Sequence, residues 1–224
     1  MAKHTEQKRL DALCSLEKEL RRQGYSYIVG VDEAGRGPLA GPVVAAACYI
    51  PDGIWFFGVN DSKQLTPDRR AELYEQIVSH TEVHFGVGVA TVEQIDKINI
   101  YQATLWAMRQ AVLSLKITPH YLLVDGTALP ETTFPSSAVV QGDASSYSIA
   151  AASIIAKEYR DRLMVELDKE WPHYGFGKHK GYGTPEHLKA LKSHGPSPHH
   201  RKSFEPVKTL TLKRKQAEFD LPAF

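Results

Sequence analysis

Residues 27–43 read YIVGVDEAGRGPLAGPV, an apolar run that leads into two acids and then into a loop rich in glycine and proline. The run 27–31 predicts a short buried strand, and the next residues are Asp32 and Glu33. The glycines that follow allow main-chain amides to approach the sugar or phosphate of a ligand, and Arg36 between two of them adds a charged fork. This stretch predicts a strand that delivers carboxylates to the edge of a ligand site.

Apolar and helix-forming segments alternate along the rest of the chain. Further strands are predicted at 42–50, 83–90, 121–124 and 138–140, and helices at 4–23, from 67 onward, at 99–115 and at 145–170. Thr66 before Pro67 is typical of a helix start, and the alanines at 150–152 give the last helix a slim face for packing on a sheet. The order of segments predicts an α/β fold in which helices flank a five-stranded sheet.

The length and charge of the chain exclude several classes of protein. Its 224 residues suit one domain with a small appended piece, and a formal net charge of +1 means that a nucleic acid would be held by a local basic patch. Cys14 and Cys48 form no CxxC pair, which argues against a disulfide scaffold or a zinc ribbon and favours a reducing compartment. The N-terminal residues are charged and no apolar run approaches about 18 residues, so we expect a cytoplasmic protein.

Three of the predicted strands end on acids. The first ends on Asp32 and Glu33, the fourth runs into Asp125, and the fifth is followed by Asp143. Acids at strand ends of an α/β fold can converge from distant parts of the chain, although a turn or a helix cap explains each one taken alone. Asp32 and Glu33 would point to opposite faces if both stayed in the strand, and a turn at Gly35 would free Glu33 to join the same site.

Carboxylates clustered in this way need cations between them near neutral pH. Magnesium and manganese ions prefer oxygen ligands and fit a site that is built only of carboxylates. Two such ions about 4 Å apart would clamp the attacking and leaving oxygens of a phosphodiester. The acids at the strand ends therefore predict a metal site suited to phosphodiester hydrolysis.

The stretch 31–43 strongly resembles the opening signature of the bacterial ribonuclease HII family. Further matching segments follow in the family's order: DSKQL at 61–65, VDG at 124–126, GD at 142–143, SIAAASIIAK at 148–157, RDR at 160–162, HKGYGT at 179–184 and HRKSF at 200–204. The resemblance covers residues 27–207. It implies a ribonuclease-H-like fold with a mixed five-stranded sheet. It also implies an endonuclease that cuts RNA within RNA–DNA hybrids and at single ribonucleotides embedded in duplex DNA, leaving 3′-hydroxyl and 5′-phosphate ends.

The resemblance also assigns roles to individual residues. The metal-binding catalytic acids, which act with two Mg²⁺ or Mn²⁺ ions, correspond to Asp32, Glu33, Asp125 and Asp143. The residues that bind substrate correspond to Gly35, Arg36, Gly37, Ser62, Lys63 and Tyr182. In the family the glycine loop reads the ribose 2′-hydroxyl at the ribo–deoxyribo junction, the tyrosine stacks on the neighbouring sugar, and the Ser-Lys pair lies near the nucleic-acid backbone. Ser145 departs from the pattern because the family commonly has Lys or Arg there, so a phosphate contact is expected to be missing.

The composition becomes basic and loop-rich after Trp171. Between 178 and 202 there is one acid, and the basic residues expected to face the phosphates of a duplex are Lys178, Lys180, Lys189, Lys192, Arg201 and Lys202. Irregular spacing predicts surface or phosphate-facing positions, rather than a zinc site, for the five accompanying histidines: His179, His187, His194, His199 and His200. We therefore expect a catalytic domain over 1–170 that includes the N-terminal helix, a basic substrate-binding appendage over 171–210, and a flexible tail over 211–224.

Three other assignments compete with a ribonuclease HII. Ribonuclease HIII shares the fold but usually carries an extra N-terminal domain, and the 26 residues before the first strand are too few for it. A catalytically silent module that binds RNA–DNA hybrids would normally have lost one of the four acids. A phosphatase acting on small phosphate esters would use the same metals but would not need the basic appendage.

The last residues of the chain suggest a partner. Residues 216–224, QAEFDLPAF, follow a basic spacer, and a glutamine followed by spaced hydrophobic residues is similar to the short motifs by which repair proteins dock on sliding clamps. The alternative is that Phe219, Leu221 and Phe224 fold back onto the body of the protein. Apart from this contact we expect a monomer that binds RNA–DNA hybrids and ribonucleotide-containing duplex DNA, and no membrane.

Overall fold

A computed structural model of the chain describes residues 2–219, with side chains over 5–212 and at 216. The strands are β1 (Ile28–Ala34), β2 (Val43–Tyr49), β3 (His84–Ala90), β4 (Tyr121–Asp125) and β5 (Ser136–Val139). They form one sheet in the order β3-β2-β1-β4-β5. Strand β1 is antiparallel to β2 and parallel to β4, and β4 is parallel to β5. The predicted α/β fold with a mixed five-stranded sheet is confirmed.

The helices within residues 2–219 are α1 (Ala2–Leu13), α2 (Ser15–Arg22), α3 (Pro67–Ser79), α4 (Val92–Leu113), α5 (Gly142–Ser145), α6 (Tyr147–Glu170), α7 (Phe176–His179), α8 (Pro185–His194) and α9 (Val207–Phe219). Helix α3 begins as predicted, since the Thr66 hydroxyl accepts a hydrogen bond from the Arg69 amide at 3.3 Å. None of the helices in this part of the chain is both long and apolar enough to cross a membrane.

Three helix predictions were wrong at their boundaries. The single helix expected over 4–23 is two helices that are interrupted at Cys14. Helix α4 begins before residue 99, and Asn99 interrupts it with a φ of 66°. The helix expected from 145 is divided into α5 and α6 because Ser146 between them is extended. Each prediction relied on apolar spacing, which does not report a local break in the backbone.

The described chain divides into two compact units. The first contains the residues up to Ala34 together with Val44–Val89 and Thr104–Tyr159. The second contains Gly35–Val43, Ala90–Ala103 and the chain from Arg160 onward. The division therefore falls within α6 and not at the predicted boundary after residue 170. Helix α9 continues to Phe219, where a flexible tail was predicted, and the last residues of that prediction, 220–224, lie outside the described residues.

Helix α6 packs directly against the central strand of the first unit. The alanines at 150–152 are fully buried, as the slim helix face predicted. A side chain at Gly30 of β1 would lie 2.1 Å from the main-chain carbon of Ser148 and 2.2 Å from the amide of Ile149, so only glycine allows this approach. The close packing fixes β1 beneath α6 and with it the position of the acids at the end of the strand.

The second unit has apolar clusters of its own. One cluster surrounds the buried rings of Tyr174 and Phe176 with Ala40 and Met164. A second cluster is formed by Leu39, Leu191 and Val207. Residues 39 and 40 belong to the glycine-rich loop of the signature, which is therefore anchored in this unit through its apolar members.

Candidate active site

Three of the predicted acids converge in the first unit. Asp32 and Glu33 lie near the end of β1 and Asp125 ends β4, and Val31 pairs with Val124 in the parallel register of these strands. One carboxylate oxygen from each of the three acids lies within 4.8 Å of the others. Both Asp32 and Glu33 belong to the strand, which continues through Ala34, and the predicted turn follows at Gly35 with a φ of 95°. The parallel strands thus bring together acids that are far apart in sequence.

Asp32 is the most deeply buried acid of this cluster, with 4% of its surface exposed. Burial raises its pKa well above the usual range, and the neighbouring charges of Glu33 and Asp125 raise it further. Hydrogen bonds from the Glu33 amide, at 2.7 Å, and from Ser153 oppose this shift without cancelling it. A buried carboxylate that is repelled by two others is stabilised by a cation placed among them.

The chemistry of this donor set fits a hard divalent cation. All three groups are carboxylates, and the cluster contains neither a thiolate nor an imidazole that would favour a softer metal. Hard divalent cations take such oxygen ligands. Burial, and after it the charges of Glu33 and Asp125, raise the pKa of Asp32, and a bound cation would favour its charged form.

Two buried serines lie behind Asp32, Ser153 on α6 and Ser62 in the loop before α3. Ser153 forms a hydrogen bond with Asp32, and its hydroxyl lies 2.6 Å from that of Ser62. Ser62 was predicted to lie near the nucleic-acid backbone, but it is only 3% exposed and its side chain lies inside the fold. Sequence reasoning missed Ser153. The signal was a polar residue in the middle of the otherwise apolar stretch 149–156.

Asp143 lies beside the three-acid cluster but is held by a different partner. Its Oδ2 is 3.2 Å from Nζ of Lys63, whose side chain is otherwise 75% exposed. Burial raises the pKa of Asp143 and the bond to Lys63 lowers it, with a net upward shift. Partial burial would lower the pKa of Lys63, but the interaction with Asp143 outweighs it and this pKa is raised. Lys63 thus places a cation at the fourth predicted acid.

Gly142 connects the segment of Asp143 to Asp125. Its amide donates a 2.7 Å hydrogen bond to Oδ1 of Asp125. A side chain at this position would lie 2.5 Å from Cδ1 of Ile149 and 3.1 Å from the same Asp125 oxygen. A methyl group here would therefore displace the end of the Ile149 side chain and crowd Asp125. The departure from the family pattern, Ser145, is exposed and donates to the main-chain oxygen of Gln141 at 3.1 Å.

The glycine-rich loop, residues 35–42, is held in the second unit by two buried arginines. Arg201 is fully buried and donates to the main-chain oxygens of this loop at 2.6–3.2 Å, namely those of Gly35, Arg36, Gly41 and Pro42. Arg160, 1% exposed, donates to the oxygens of Ala40, Pro42 and Lys180 at 2.9–3.1 Å. The prediction that Arg201 faces phosphates was therefore wrong, because its guanidinium is buried and donates hydrogen bonds to the carbonyl groups of the loop.

Tyr182 lies beside the same loop. Its ring is 45% exposed, and a side chain on Gly37 would lie 3.7 Å from the ring carbon Cε1. Arg36 and Gly37 are themselves exposed. The second unit therefore presents the predicted loop and the predicted tyrosine on one surface, where a sugar can be contacted by both a main-chain segment and an aromatic ring.

The basic segment differs from its prediction mainly in its histidines. Lys189, Lys192 and Lys202 are exposed, and exposed Lys178 pairs with Glu186 at 2.7 Å. Lys180 is partly buried and donates to the main-chain oxygen of Gly177. Three of the five histidines, expected at the surface, are buried: His179, His187 and His200. Their spacing in sequence looks irregular because they come from separate segments that meet in the interior.

Comparison with known proteins places these features in a family. The model of the ribonuclease HII family matches residues 29–207. A ribonuclease HII from Chlamydia trachomatis serovar L2 is 61% identical over 192 residues, which cover 86% of this chain and 88% of that protein. The ribonuclease H2 from Pyrococcus horikoshii OT3 has a TM-score of 0.70 and 27% identity, and the match covers 84% of this chain and 99% of that one.

A second solved structure is the PCNA:RNase HII complex from Archaeoglobus fulgidus. The matched chain has a TM-score of 0.60 and 25% identity, covering 80% of this chain and 95% of that one. The resemblance read from the signature and its ordered motifs is thus confirmed by a family match over most of the chain and by close relatives. The chain belongs to the ribonuclease HII family.

Proposed function

We propose that the chain cleaves the RNA strand of RNA–DNA hybrids and the strand that carries a single ribonucleotide in duplex DNA, by metal-dependent hydrolysis. Membership of the family makes the protein a ribonuclease H hydrolase. The observation that carries the proposal is the meeting of Asp32, Glu33 and Asp125 within 4.8 Å at the ends of two parallel strands. That cluster provides the oxygen ligands that phosphodiester hydrolysis with hard divalent ions requires.

The four acids would hold two Mg²⁺ or Mn²⁺ ions, namely Asp32, Glu33, Asp125 and Asp143. Bound ions of this kind supply an activated water and neutralise the charge that develops on the leaving oxygen. The protein contributes by orienting the ligands before they bind. Ser153 bonds to Asp32, the Gly142 amide fixes Oδ1 of Asp125, and Lys63 holds Asp143. A ligand set that is already oriented loses little freedom when the ions arrive.

Recognition of the ribonucleotide would belong to the second unit. Gly35, Arg36 and Gly37 would read the ribose 2′-hydroxyl, because this hydroxyl is the group that distinguishes RNA from DNA at one position. The two buried arginines already engage carbonyl groups of this loop, which fixes its main chain in one conformation. The half-exposed ring of Tyr182 beside Gly37 would pack on the neighbouring sugar.

In this proposal the surface lysines contact the phosphates of the duplex. Lys63, Lys189, Lys192 and Lys202 would contact phosphates and set affinity without reading sequence. A contact from Ser62 would need its buried side chain to leave Ser153, so we assign it a supporting role through Ser153 to Asp32. We place the enzyme in the cytoplasm, where the buried thiols of Cys14 and Cys48 remain reduced.

The proposal is tested with three duplexes: an RNA–DNA hybrid, a DNA duplex that contains one ribonucleotide, and the same duplex of DNA alone. We expect cleavage of the first two in Mg²⁺ or Mn²⁺, no cleavage in EDTA, and no cleavage of the third in either buffer. A silent binding module on the same fold would bind the duplexes in a mobility-shift assay without cutting them. Hydrolysis of a small phosphate ester with no cleavage of the duplexes would instead identify a phosphatase.

We also propose that the C-terminal segment docks on a sliding clamp. The support is the order of residues after Gln216 and the solved structure of the Archaeoglobus fulgidus relative, which is a complex with PCNA. The test is deletion of residues 214–224, followed by cleavage of a short duplex and a pull-down with the host's clamp. Unchanged cleavage with loss of the pull-down supports docking. A lower thermal midpoint, or no clamp binding by the full chain, contradicts it.

A further inference from the structure

Three buried histidines of the second unit have no part in the proposed function, and their rings contact one another by a hydrogen bond and by stacking. His187 and His200 are fully buried, and their Nε2 atoms lie 3.0 Å apart. The ring of His179, 8% exposed, stacks on that of His187 with the ring centres 4.3 Å apart. The ring of Phe176 packs against all three at 5.5–6.2 Å. Such an interior position requires every ring nitrogen to have a partner of the correct kind.

The partners determine where each proton lies. The main-chain amide of Ser197 donates to Nδ1 of His200 at 2.9 Å, and an amide can only donate. The Ser197 hydroxyl, 2.8 Å away, can donate to the same nitrogen, so Nδ1 of His200 is an acceptor and the proton of the neutral ring lies on Nε2. That proton is directed at Nε2 of His187, which must accept it. The proton of His187 is then on Nδ1.

The other end of this series of hydrogen bonds assigns the same tautomers independently. Nδ1 of His187 lies 2.8 Å from the main-chain oxygen of Tyr182, and a carbonyl oxygen can only accept. His187 must therefore carry its proton on Nδ1, which leaves Nε2 free to accept from His200. One direction of donation, from Ser197 through His200 and His187 to Tyr182, satisfies all four groups. A second proton on either ring would set two N–H groups against each other.

Burial supports neutral rings throughout this chain of hydrogen bonds. Burial lowers the pKa of His187 to about 4 and that of His200 to about 3. The charge of each of the other two rings also disfavours protonation of His200, and His179 does the same for His187. Both rings are therefore neutral near pH 7, the only state in which the hydrogen bonds described above are complete.

The end of the chain of hydrogen bonds is a tightly defined piece of backbone. The Tyr182 oxygen accepts from the Thr184 amide at 2.8 Å as well as from His187, which uses both of its lone pairs. The two residues before it, Lys180 and Gly181, have left-handed φ values of 53° and 82°. A side chain at Gly181 would lie 2.5 Å from the main-chain oxygen of Ala40. The backbone of Tyr182 is thus fixed by contacts inside the protein, whereas its side chain is exposed.

We propose that Ser197, His200 and His187 form a positioning relay, in which neutral imidazoles of defined tautomer hold the main chain of Tyr182 so that its exposed ring is presented to the ribose. The inference rests on the proposed function of Tyr182 as a substrate contact. The histidines touch no substrate and transfer no proton in the reaction. They act through Tyr182 alone, and the order of donation gives the relay a signature that an ordinary apolar core does not have.

The tautomers are tested directly by ¹⁵N NMR of the imidazole nitrogens in the full chain near pH 7. We expect His187 to be protonated on Nδ1, which is the minor tautomer of free histidine in water, and His200 on Nε2. Assignment uses the loss of each signal in His187→Phe and His200→Phe. A proton on Nε2 of His187, or a doubly protonated ring, overturns the relay whatever the variants do to activity.

The link to Tyr182 is tested by kinetics on the duplex that contains one ribonucleotide. His187→Phe keeps a ring in the cavity but removes the donor, and we expect KM to rise about tenfold, the equivalent of one hydrogen bond, with kcat changed much less. His187→Asn restores an N–H close to the position of Nδ1 and should recover most of the loss. In a Tyr182→Ala background, His187→Phe should have no further effect on KM.

The outcomes separate the relay from the function that it serves. Equal losses in His187→Phe and His187→Asn, or an undiminished effect of His187→Phe without the tyrosine ring, show that the histidines only fill space and overturn the relay. If Tyr182→Ala raises KM but His187→Phe does not, the proposed role of Tyr182 stands and the relay fails. If Tyr182→Ala leaves KM unchanged, the tyrosine is not a substrate contact and both proposals fail.

Discussion

Replacing Asp32 by asparagine should make the metal-free protein more stable while it destroys cleavage. The reason is the charge of the acid cluster, in which oxygens of three carboxylates lie within 4.8 Å of one another. Two unit charges at this distance repel each other by about 3.5 kcal/mol at an effective dielectric constant near 20. Asp32 experiences this repulsion from both Glu33 and Asp125, although burial is the larger cause of its raised pKa. Asparagine removes the charge but keeps an oxygen that can accept from the Glu33 amide.

The net gain is smaller than the Coulomb energy because Asp32 can already escape part of the repulsion by binding a proton. We expect a gain of about 1–2 kcal/mol in the free energy of unfolding near pH 7.5 in EDTA, which corresponds to a rise in Tm of roughly 2–8 °C for a chain of this size. Addition of Mg²⁺ or Mn²⁺ should raise the Tm of the wild-type protein and have little effect on Asp32→Asn, so the difference between the two proteins shrinks or reverses.

The assay is thermal unfolding followed by circular dichroism, in EDTA and across a titration of each metal. Asp11→Asn is the control, because Asp11 is exposed, pairs with Lys18 at 2.8 Å and lies outside the cluster. That variant should not gain stability in EDTA, and metal should stabilise it as it stabilises the wild type. If Asp32→Asn is less stable than the wild type in EDTA, or gains as much from metal, the cluster is not a strained metal site and the reasoning is wrong.

Three further predictions follow from other contacts. Arg201→Lys, which loses the fork that holds the glycine-rich loop, should lower cleavage at a single ribonucleotide more than cleavage of a long hybrid, and equal losses on the two duplexes would contradict this. Gly142→Ala should lower metal affinity in calorimetry because its methyl group would meet an oxygen of Asp125, and unchanged affinity would argue against that contact. His187 and His200 have folded-state pKa values of about 4 and about 3, below the ordinary 6.5, so their contribution to stability is complete above about pH 6.5 and is lost as the pH falls toward 4. Urea unfolding at pH 7.5 and pH 5 should show a loss on the order of a few kcal/mol, measured in the Asp32→Asn background to remove the opposing effect of that carboxyl, and an equal midpoint at both values would refute it.

The convergence of the acids could be predicted from the sequence because it follows from topology. Asp32 and Asp125 each end an apolar run, and neighbouring parallel strands carry their carboxyl ends to the same edge of a sheet. The slim face of α6 was also visible in its alanines, and Gly30 beneath it confirms how closely that helix approaches the sheet. These features depend on residue type and on order along the chain, both of which are printed in the sequence.

The roles of buried polar residues could not be predicted in the same way. Arg201 stands in a basic segment and was assigned to phosphates, but its partners are carbonyl groups of a loop that lies about 160 residues earlier. Ser153 lies in the helix predicted over 145–170, but its bond to Asp32 depends on how α6 packs on β1, which the sequence does not record. Main-chain carbonyls leave no trace in residue composition, so a side chain whose task is to bind them looks like any other charged residue.

The burial of the histidines could not be predicted from the sequence either. Their irregular spacing was interpreted as a sign of surface or phosphate-facing positions, whereas three of the five are buried. In the structure His187 lies on α8. His200 lies in the segment after that helix and is paired with Ala40 by a β-bridge. The two rings meet only when these segments pack together, and no sequence pattern within either segment indicates this packing.

The most direct test of the central claim is single-turnover cleavage of a DNA duplex that contains one ribonucleotide, by the wild type and by Asp125→Asn, with metal binding measured by calorimetry. Asparagine can still accept from the Gly142 amide, so the variant should fold with an unchanged circular dichroism spectrum. If the strand-end acids hold the catalytic metals, the variant should cleave at least about a hundredfold more slowly and bind Mg²⁺ and Mn²⁺ more weakly. Cleavage near the wild-type rate at low metal concentration, by a correctly folded Asp125→Asn protein, would contradict the account.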